Sequence, residues 1–481
     1  MTNSPESGEA PAADPALTSD RQNWAGLLGA IALAGLILAI PQPAGLSAPG
    51  QRLAAVFAGA IVLWVTEALP IGVTALIVLL LQPLLGIEVL GTAFHAFASP
   101  VFFFVLAMLL LAQAVIGSKL DRRFAYWLLD RAGTESRRVV IALICGAAAL
   151  STIMSDVPAC AIFMAIGMGV LTRSGVSPGE SNFGKAVMVG IPIGSLIGGV
   201  ATPAGSSINV LGMHFIEEYG GVTLTFLDWT MLGVPMVLML VPIACWVILQ
   251  VFPPEQEHIV GHDAIAAEHA ALGPLTLVER KAIALVGTML VLWVLGTWEP
   301  RLNVVVVALA GAIAIFLPGM RLLRWREAER GIAWETLLMI GGVTSIGSAS
   351  VETGLAEWVV HGSLGGLQAW PTAAVIAAIS AFTVLVHLVI PIGPVINGIL
   401  IPPIVLLANE AGVHPALYAL PVAFSASASF LLPLDPVPLL TYSKGYYRML
   451  DMLGPGLILG AFWVVCMTLL TLMLGPALGI G

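Results

Sequence analysis

The chain has 481 residues, of which 58% are hydrophobic and only 10% charged; its mean hydropathy is +0.99 and its formal net charge −9. Soluble globular chains carry roughly 25% charged residues, so this surface has too little charge to be wetted throughout. A soluble enzyme is excluded, nucleic acid is not an expected partner, and an all-α polytopic membrane protein is implied.

In chain order, Met1–Asp20 is rich in Pro, Ala, Ser and Glu and has no apolar run. Residues 1–23 read as a disordered cytoplasmic tail, without the basic-then-apolar order of a signal peptide. A spanning helix needs about 20 predominantly apolar residues. Such runs fall near 24–41, 52–69, 70–87, 100–118, 186–213, 229–251, 281–298, 303–319, 332–352, 416–441 and 453–478. Two further apolar stretches, 139–171 and 371–408, are interrupted by Ser155-Asp156-Val157-Pro158 and Pro391-Ile392-Gly393-Pro394. Their halves are short for a span, so both read as re-entrant helical hairpins with tips at membrane depth. The acidic segment Pro253–His269 reads as a solvated loop, and the four cysteines, all in apolar runs, as core residues rather than a disulfide or zinc framework.

Lys and Arg placement orients the chain. With the N-terminus cytoplasmic and the C-terminus outside, all 19 Lys and Arg except Arg52 and Arg301 fall on the cytoplasmic side. The interruptions repeat. Asp156 and Gly393 lie 237 residues apart, and the turn clusters Ala201–Ser207 and Leu432–Pro438 follow with an offset of 230 at Thr202-Pro203 and Leu432-Pro433. Each half holds an odd number of full spans, so the second is inverted relative to the first. The organisation expected is an extra first span (24–48), repeat 1 (49–253), a cytoplasmic loop (254–280) and repeat 2 (281–481). Inverted repeats with paired broken helices place a solute site near the bilayer midplane.

Three segments are similar to the divalent anion/sodium symporter family: Trp64-Val65-Thr66-Glu67-Ala68-Leu69-Pro70, Leu120-Asp121-Arg122-Arg123-Phe124-Ala125, and Ala201 to Asn209. Their order, spacing and placement carry the likeness from about residue 50 to the C-terminus. The resemblance implies a homodimer in the cell inner membrane, each protomer with a scaffold domain and a transport domain that moves like an elevator. It implies di- or tricarboxylates or sulfate as substrates, usually with sodium, and no cofactor. It places substrate at Val157, Ser206, Ser207, Pro394 and Pro436. It places one sodium at Ser151, Ser155, Asp156 and Gly205, and a second at Leu388, Pro391, Gly393 and Asp435. The family marks both hairpin tips with Ser-Asn-Thr; here they read Ser155-Asp156-Val157 and Ile392-Gly393-Pro394.

The residues themselves say more. Helix N-termini present free N–H groups and partial positive charge. Pro158 and Pro394 each suit a first helical position, so both tips are expected to present helix N-termini to an anion. Ser155, Asp156, Gly393 and Asn397 join the candidate substrate contacts. No Lys or Arg lies in either hairpin core or unwound span, and Asp156 and Asp435 add negative charge there. A carboxylate at membrane depth needs a partner, and one cation or proton site per repeat follows. Asp156, Asp435 and His387 are the candidate proton sites. Asp156 also reads as a helix cap, Asp435 as a turn former and His387 as a packed core residue. Sodium or proton symport of a small anion is expected first, ion-independent exchange second, and a channel as a remote third.

Overall fold

The computed structural model describes residues 15–179, 181–260, 262–364, 366–367 and 370–480, so residues 1–14 of the expected tail lie outside the described residues. A helix, α1 (Pro15–Ala39), already takes in the end of that stretch, and α2 (Ala48–Thr66) and α3 (Ile71–Leu84) follow. The Ser99 hydroxyl accepts from Phe102 N–H and Pro100 stands in the first turn, which opens α4 (Pro100–Ser118) where the sequence predicts it. The amphipathic α5 (Leu120–Ala132) leads to the first hairpin, α6 (Ser136–Ser151) and α7 (Asp156–Arg173).

The stretch expected as one interrupted span is two helices, α8 (Asn182–Gly199) and α9 (Ser207–Gly220), joined by residues 200–206. A Thr225–Asp228 capping box opens α10 (Phe226–Val251). Then come α11 (Leu277–Leu295), α12 (Val304–Ala314) and α13 (Trp334–Glu352). The second hairpin is α14 (Thr372–Val386) and α15 (Gly393–Glu410); the second broken helix is α16 (Pro415–Ser425) and α17 (Pro436–Tyr442); α18 (Leu453–Leu474) closes the chain. Shorter helical turns connect these elements. The closing arm of each hairpin has 18 residues, longer than the half-spans expected from sequence. Pro158 falls at the third rather than the first position of α7, where its missing N–H is still not needed.

The order of hairpin, broken helix and closing helix thus occurs twice, and the halves interlock. The second piece of each broken helix packs on the other half's hairpin, α9 on α15 and α17 on α7. The closing helices α10 and α18 pack on each other. Each sends a buried indole to a break: Trp229 Nε1 donates to Val200 O at 2.9 Å, and Trp463 Nε1 to Ser425 Oγ at 3.0 Å. Broken backbone at membrane depth is tolerated only when such partners are built in.

Hairpin arm α6 lies closest to α8. Apolar lipid tails give little hydrophobic drive between helices, so close backbone approach through small residues holds such pairs. Here Gly190, Gly194 and Gly198 form one stripe of α8. A methyl at Gly194 would sit 2.5 Å from Ile144 O, and one at Gly198 would overlap the backbone of Ala148. Gly198→Val is therefore expected to cost about 3 kcal/mol, read as a lower thermal midpoint in detergent. Gly169→Ala, on α7 with open space around it, changes stability by less than about 1 kcal/mol.

On the side rich in Lys and Arg, Arg123 ties α5 to the segment that joins the halves. Its Nε meets Glu279 Oε1 at 2.6 Å, and its other nitrogens donate to Gly273 O and Leu272 O at 2.8 and 3.1 Å. The Arg123 hydrogen bond holds the Glu279 carboxyl, just before its span, down at about 2. The depressed value makes the pair stabilising above the ordinary carboxylate value of 4.5 and lost as pH falls through about 2. Thermal midpoints measured across that window are expected to fall less steeply for Glu279→Gln than for the unaltered chain.

Candidate functional site

Four helix N-termini, those of α7, α9, α15 and α17, converge on a cavity of about 620 Å³. Of the residues the sequence singles out, Ser155, Asp156, Val157, Ser206, Ser207, Gly393, Pro394, Asp435 and Pro436 line it. The interlocking of the halves brings them together, because tip 1 meets break 2 through α7 and α17, and tip 2 meets break 1 through α15 and α9.

Asp156 is the first residue of α7 and is buried. Its Oδ1 accepts from Ser155 Oγ at 3.1 Å and Val157 N–H at 3.0 Å, and its Oδ2 from Ser206 Oγ at 3.3 Å. The N-cap is Ser155, so Asp156 is not the cap read from the sequence; it links tip 1 to break 1. Asp435 is the buried N-cap of α17, and its Oδ1 accepts from Val437 N–H at 2.9 Å. Among the described residues neither carboxylate forms an ion pair, and they stand near enough for their charges to interact.

Ser151 and Gly205 do not line the cavity. Ser151 Oγ is fully buried and has no hydrogen-bond partner. A methyl built on Gly199 would stand 3.3 Å from that oxygen, 3.4 Å from Gly205 O and 3.5 Å from Asp156 Cβ. One built on Gly205 would collide with Gly199 O and lie 2.8 Å from Ser151 O. The Ser151 hydroxyl and Gly205 carbonyl oxygens, with the Asp156 side chain beside them, therefore stand around a point that only glycine leaves clear. An all-oxygen set of this kind fits a hard cation such as sodium. Asn209 braces it, its Nδ2 donating to Gly199 O at 2.7 Å and Thr202 O at 2.8 Å.

The second half has no matching cradle. Pro391, Asn397 and His387 do not line the cavity, and Leu388 is exposed. Asn397 is buried with Nδ2 donating to Ile208 O at 2.9 Å, so it fastens α15 to α9. At Gly393 a side chain would strike Ala426 O and Ile208. That carbonyl already faces His387 Nε2 at 3.2 Å, while His387 Nδ1 faces Thr383 O at 3.0 Å. Of the four residues expected to hold a second sodium, Asp435 alone offers a side-chain oxygen; in the same half Ser427 Oγ and Asn397 Oδ1 are also buried without a hydrogen-bond partner.

Sequence reasoning missed much of the wall. Glu67, the left-handed C-cap of α2, and Glu335 in the first turn of α13 both line the cavity and are exposed. Gln113 joins them, as do Phe104, Met108 and Met339. The one available signal was a polar residue inside or at the start of an apolar run, which also describes ordinary caps.

A family model described as the sodium:sulfate symporter transmembrane region matches residues 21–480. A membrane protein of Cupriavidus necator is 28% identical over 437 residues, covering 86% of this chain and 84% of its own length. A Staphylococcus saprophyticus protein named sodium-dependent dicarboxylate transporter SdcS is 24% identical over 480 residues, covering 92% of this chain and 90% of its own. The fold is shared with the Alcanivorax borkumensis YdaH transporter, at a TM-score of 0.53 and 17% identity over 96% of this chain and 98% of that one.

The orphaned Ser151 hydroxyl offers a clean test of the cradle. Removing a buried group without a partner does not weaken the fold, so Ser151→Ala is expected to keep the thermal midpoint in sodium-free buffer. The sodium concentration needed to raise that midpoint should increase about tenfold, as for loss of a contact to a charged group.

Proposed function

The chain belongs to the sodium:sulfate symporter family, a transporter and not an enzyme, and on that footing we propose that it imports a small anion across the cell inner membrane by symport with sodium. The observation that carries this reading is the oxygen cradle of Ser151, Gly199, Gly205 and Asp156, one bond away from the cavity through Ser206. A cation there neutralises Asp156 and so removes the repulsion that the bare carboxylate exerts on an arriving anion. Each then favours the other's binding, and the coupling is reciprocal.

The family and the interlocked halves support an elevator motion. The hairpins, broken helices and closing helices form the transport domain, the remaining spans the scaffold, and two copies a homodimer in the lipid. The placement of Lys and Arg supports a cytoplasmic N-terminus, and the repeat boundaries are those read from the sequence.

Proton coupling is the second reading, and His387 favours it. Both of its ring nitrogens face carbonyl oxygens, which accept only, so the doubly protonated ring alone can donate to both. Ion-independent exchange would need neither feature.

Counterflow into proteoliposomes separates these. Uptake is expected to vanish without sodium at fixed pH and to survive a protonophore. Asp156→Asn keeps a side-chain oxygen for Ser155 and Val157, turns an N–H toward Ser206 Oγ and loses the charge, and its sodium requirement should weaken at least tenfold. Unchanged uptake with unchanged ion dependence would sink the assignment of Asp156 as the coupling carboxylate.

A further inference from the structure

We propose that the cavity selects a solute with a single anionic group on an apolar body, a monocarboxylate or monosulfonate, over a dianion. This rests on the reading of the cavity as the anion site and narrows it.

The first support is charge. Glu67, Asp156, Glu335 and Asp435 line the cavity, and among its lining residues there is no Lys, Arg or His. A cation in the cradle offsets one of these charges. Every further negative charge on the solute meets the rest without a countercharge, and the repulsion from the buried Asp156 and Asp435 is less screened than that from the exposed Glu67 and Glu335.

The second support is the supply of donors. Helix N-termini hold anions through free N–H groups, yet most of those here are taken or missing. At α7, Val157 N–H turns to Asp156, Pro158 has none, and Ala159 N–H bonds Ser155 O. At α15, Pro394 has none, and Val395 and Ile396 N–H both bond Ile392 O. At α17, Pro436 and Pro438 have none, and Val437 N–H bonds Asp435. At α9, Ile208 and Asn209 N–H bond the Ser206 hydroxyl and carbonyl. Ser155, Gln113 and Ser443 donate their side chains to Asp156, Gly331 O and Leu440 O. What remains beside the hairpin tips is the hydroxyl and N–H of Ser207 and the N–H groups of Asp156 and Gly393, a small set split between the two tips and suited to one carboxylate or sulfonate.

The third support is the rest of the wall. Phe104, Val105, Met108, Leu109, Met339 and Leu440 present apolar surface, suited to a hydrocarbon or aromatic body and not to a second polar end. At about 620 Å³ the cavity also leaves a bare sulfate far from most of its walls.

The full chain in proteoliposomes, with a sodium gradient, is offered radiolabelled benzenesulfonate, succinate or sulfate. Benzenesulfonate is expected to enter at least tenfold faster than either dianion, and to raise the thermal midpoint where they do not. Ser207→Ala should weaken benzenesulfonate binding about tenfold. Asp435→Asn removes a wall charge and retains an oxygen for Val437, so it should shift the monoanion-to-dianion ratio toward succinate by at least tenfold. Sodium-driven preference for succinate or sulfate, or an Asp435→Asn ratio equal to that of the unaltered chain, overturns this inference and leaves anion symport standing. If no anion of either kind binds or moves, anion symport falls with it.

Discussion

Everything at the site depends on how closely the backbone of α6 can lie against that of α8. Gly194 and Gly198 let Ile144 O and Ala148 O come within side-chain distance of the neighbouring helix axis. One residue after Gly198 the helix ends at Gly199, and α6 ends at Ser151. The glycine column therefore does more than pack two helices. It brings the last hydroxyl of α6 beside Gly199 at the end of α8, and Asp156, the first residue past the turn, stands at the same point. Widening the approach by one methyl would move the Ser151 and Gly199 oxygens apart by more than a cation's coordination shell tolerates. Helix packing and ion binding are here one constraint.

The two halves share an architecture but not a chemistry. Both breaks receive an indole N–H from a closing helix, Trp229 on the Val200 carbonyl and Trp463 on the Ser425 hydroxyl. The interiors diverge. Tip 1 and break 1 surround a point with oxygens and leave Ser151 Oγ without a protein partner. At tip 2 and break 2 the corresponding carbonyl, Ala426 O, is occupied by an imidazole. An imidazole set between Thr383 O and Ala426 O fastens the end of α14 to break 2. The inverted repeat thus frames two similar positions, and the side chains make one an oxygen-lined pocket and the other a fastening.

Local signals in the sequence locate the elements well, because Pro and Gly clusters interrupt apolar runs at their physical causes. The interruption at Ser155–Pro158 and that at Pro391–Pro394 mark true helix starts, at Asp156 and Gly393. The start of α4 is legible from Ser99-Pro100 alone. Much less legible are contacts between segments remote in the chain. Asn397 is close to the tip in sequence, but its amide is spent on Ile208, 189 residues away. Glu67 and Glu335 read as span ends and belong to the cavity wall, since only the fold brings the end of α2 and the start of α13 beside tip 1. The stripe of Gly190, Gly194 and Gly198 is visible in the sequence, but which helix it admits is not.

The two tips depart from the family's Ser-Asn-Thr for different physical reasons. At tip 1 the change is one of charge within a kept shape. Asp156 is isosteric with asparagine, its oxygens still accept from Ser155, Val157 and Ser206, and only the net charge of the pocket is new. At tip 2 the change is one of space. Ala426 O and Ile208 press on Gly393 so closely that no side chain can stand there, and Pro394 removes the next N–H. A polar tip at that position is not merely missing; the packing of break 2 and α9 has taken its room. The negative charge added on one side and the donors removed on the other act in the same direction. Both lower the affinity of the cavity for a second anionic group, while the Ser207 and Gly393 donors that serve a first one are untouched.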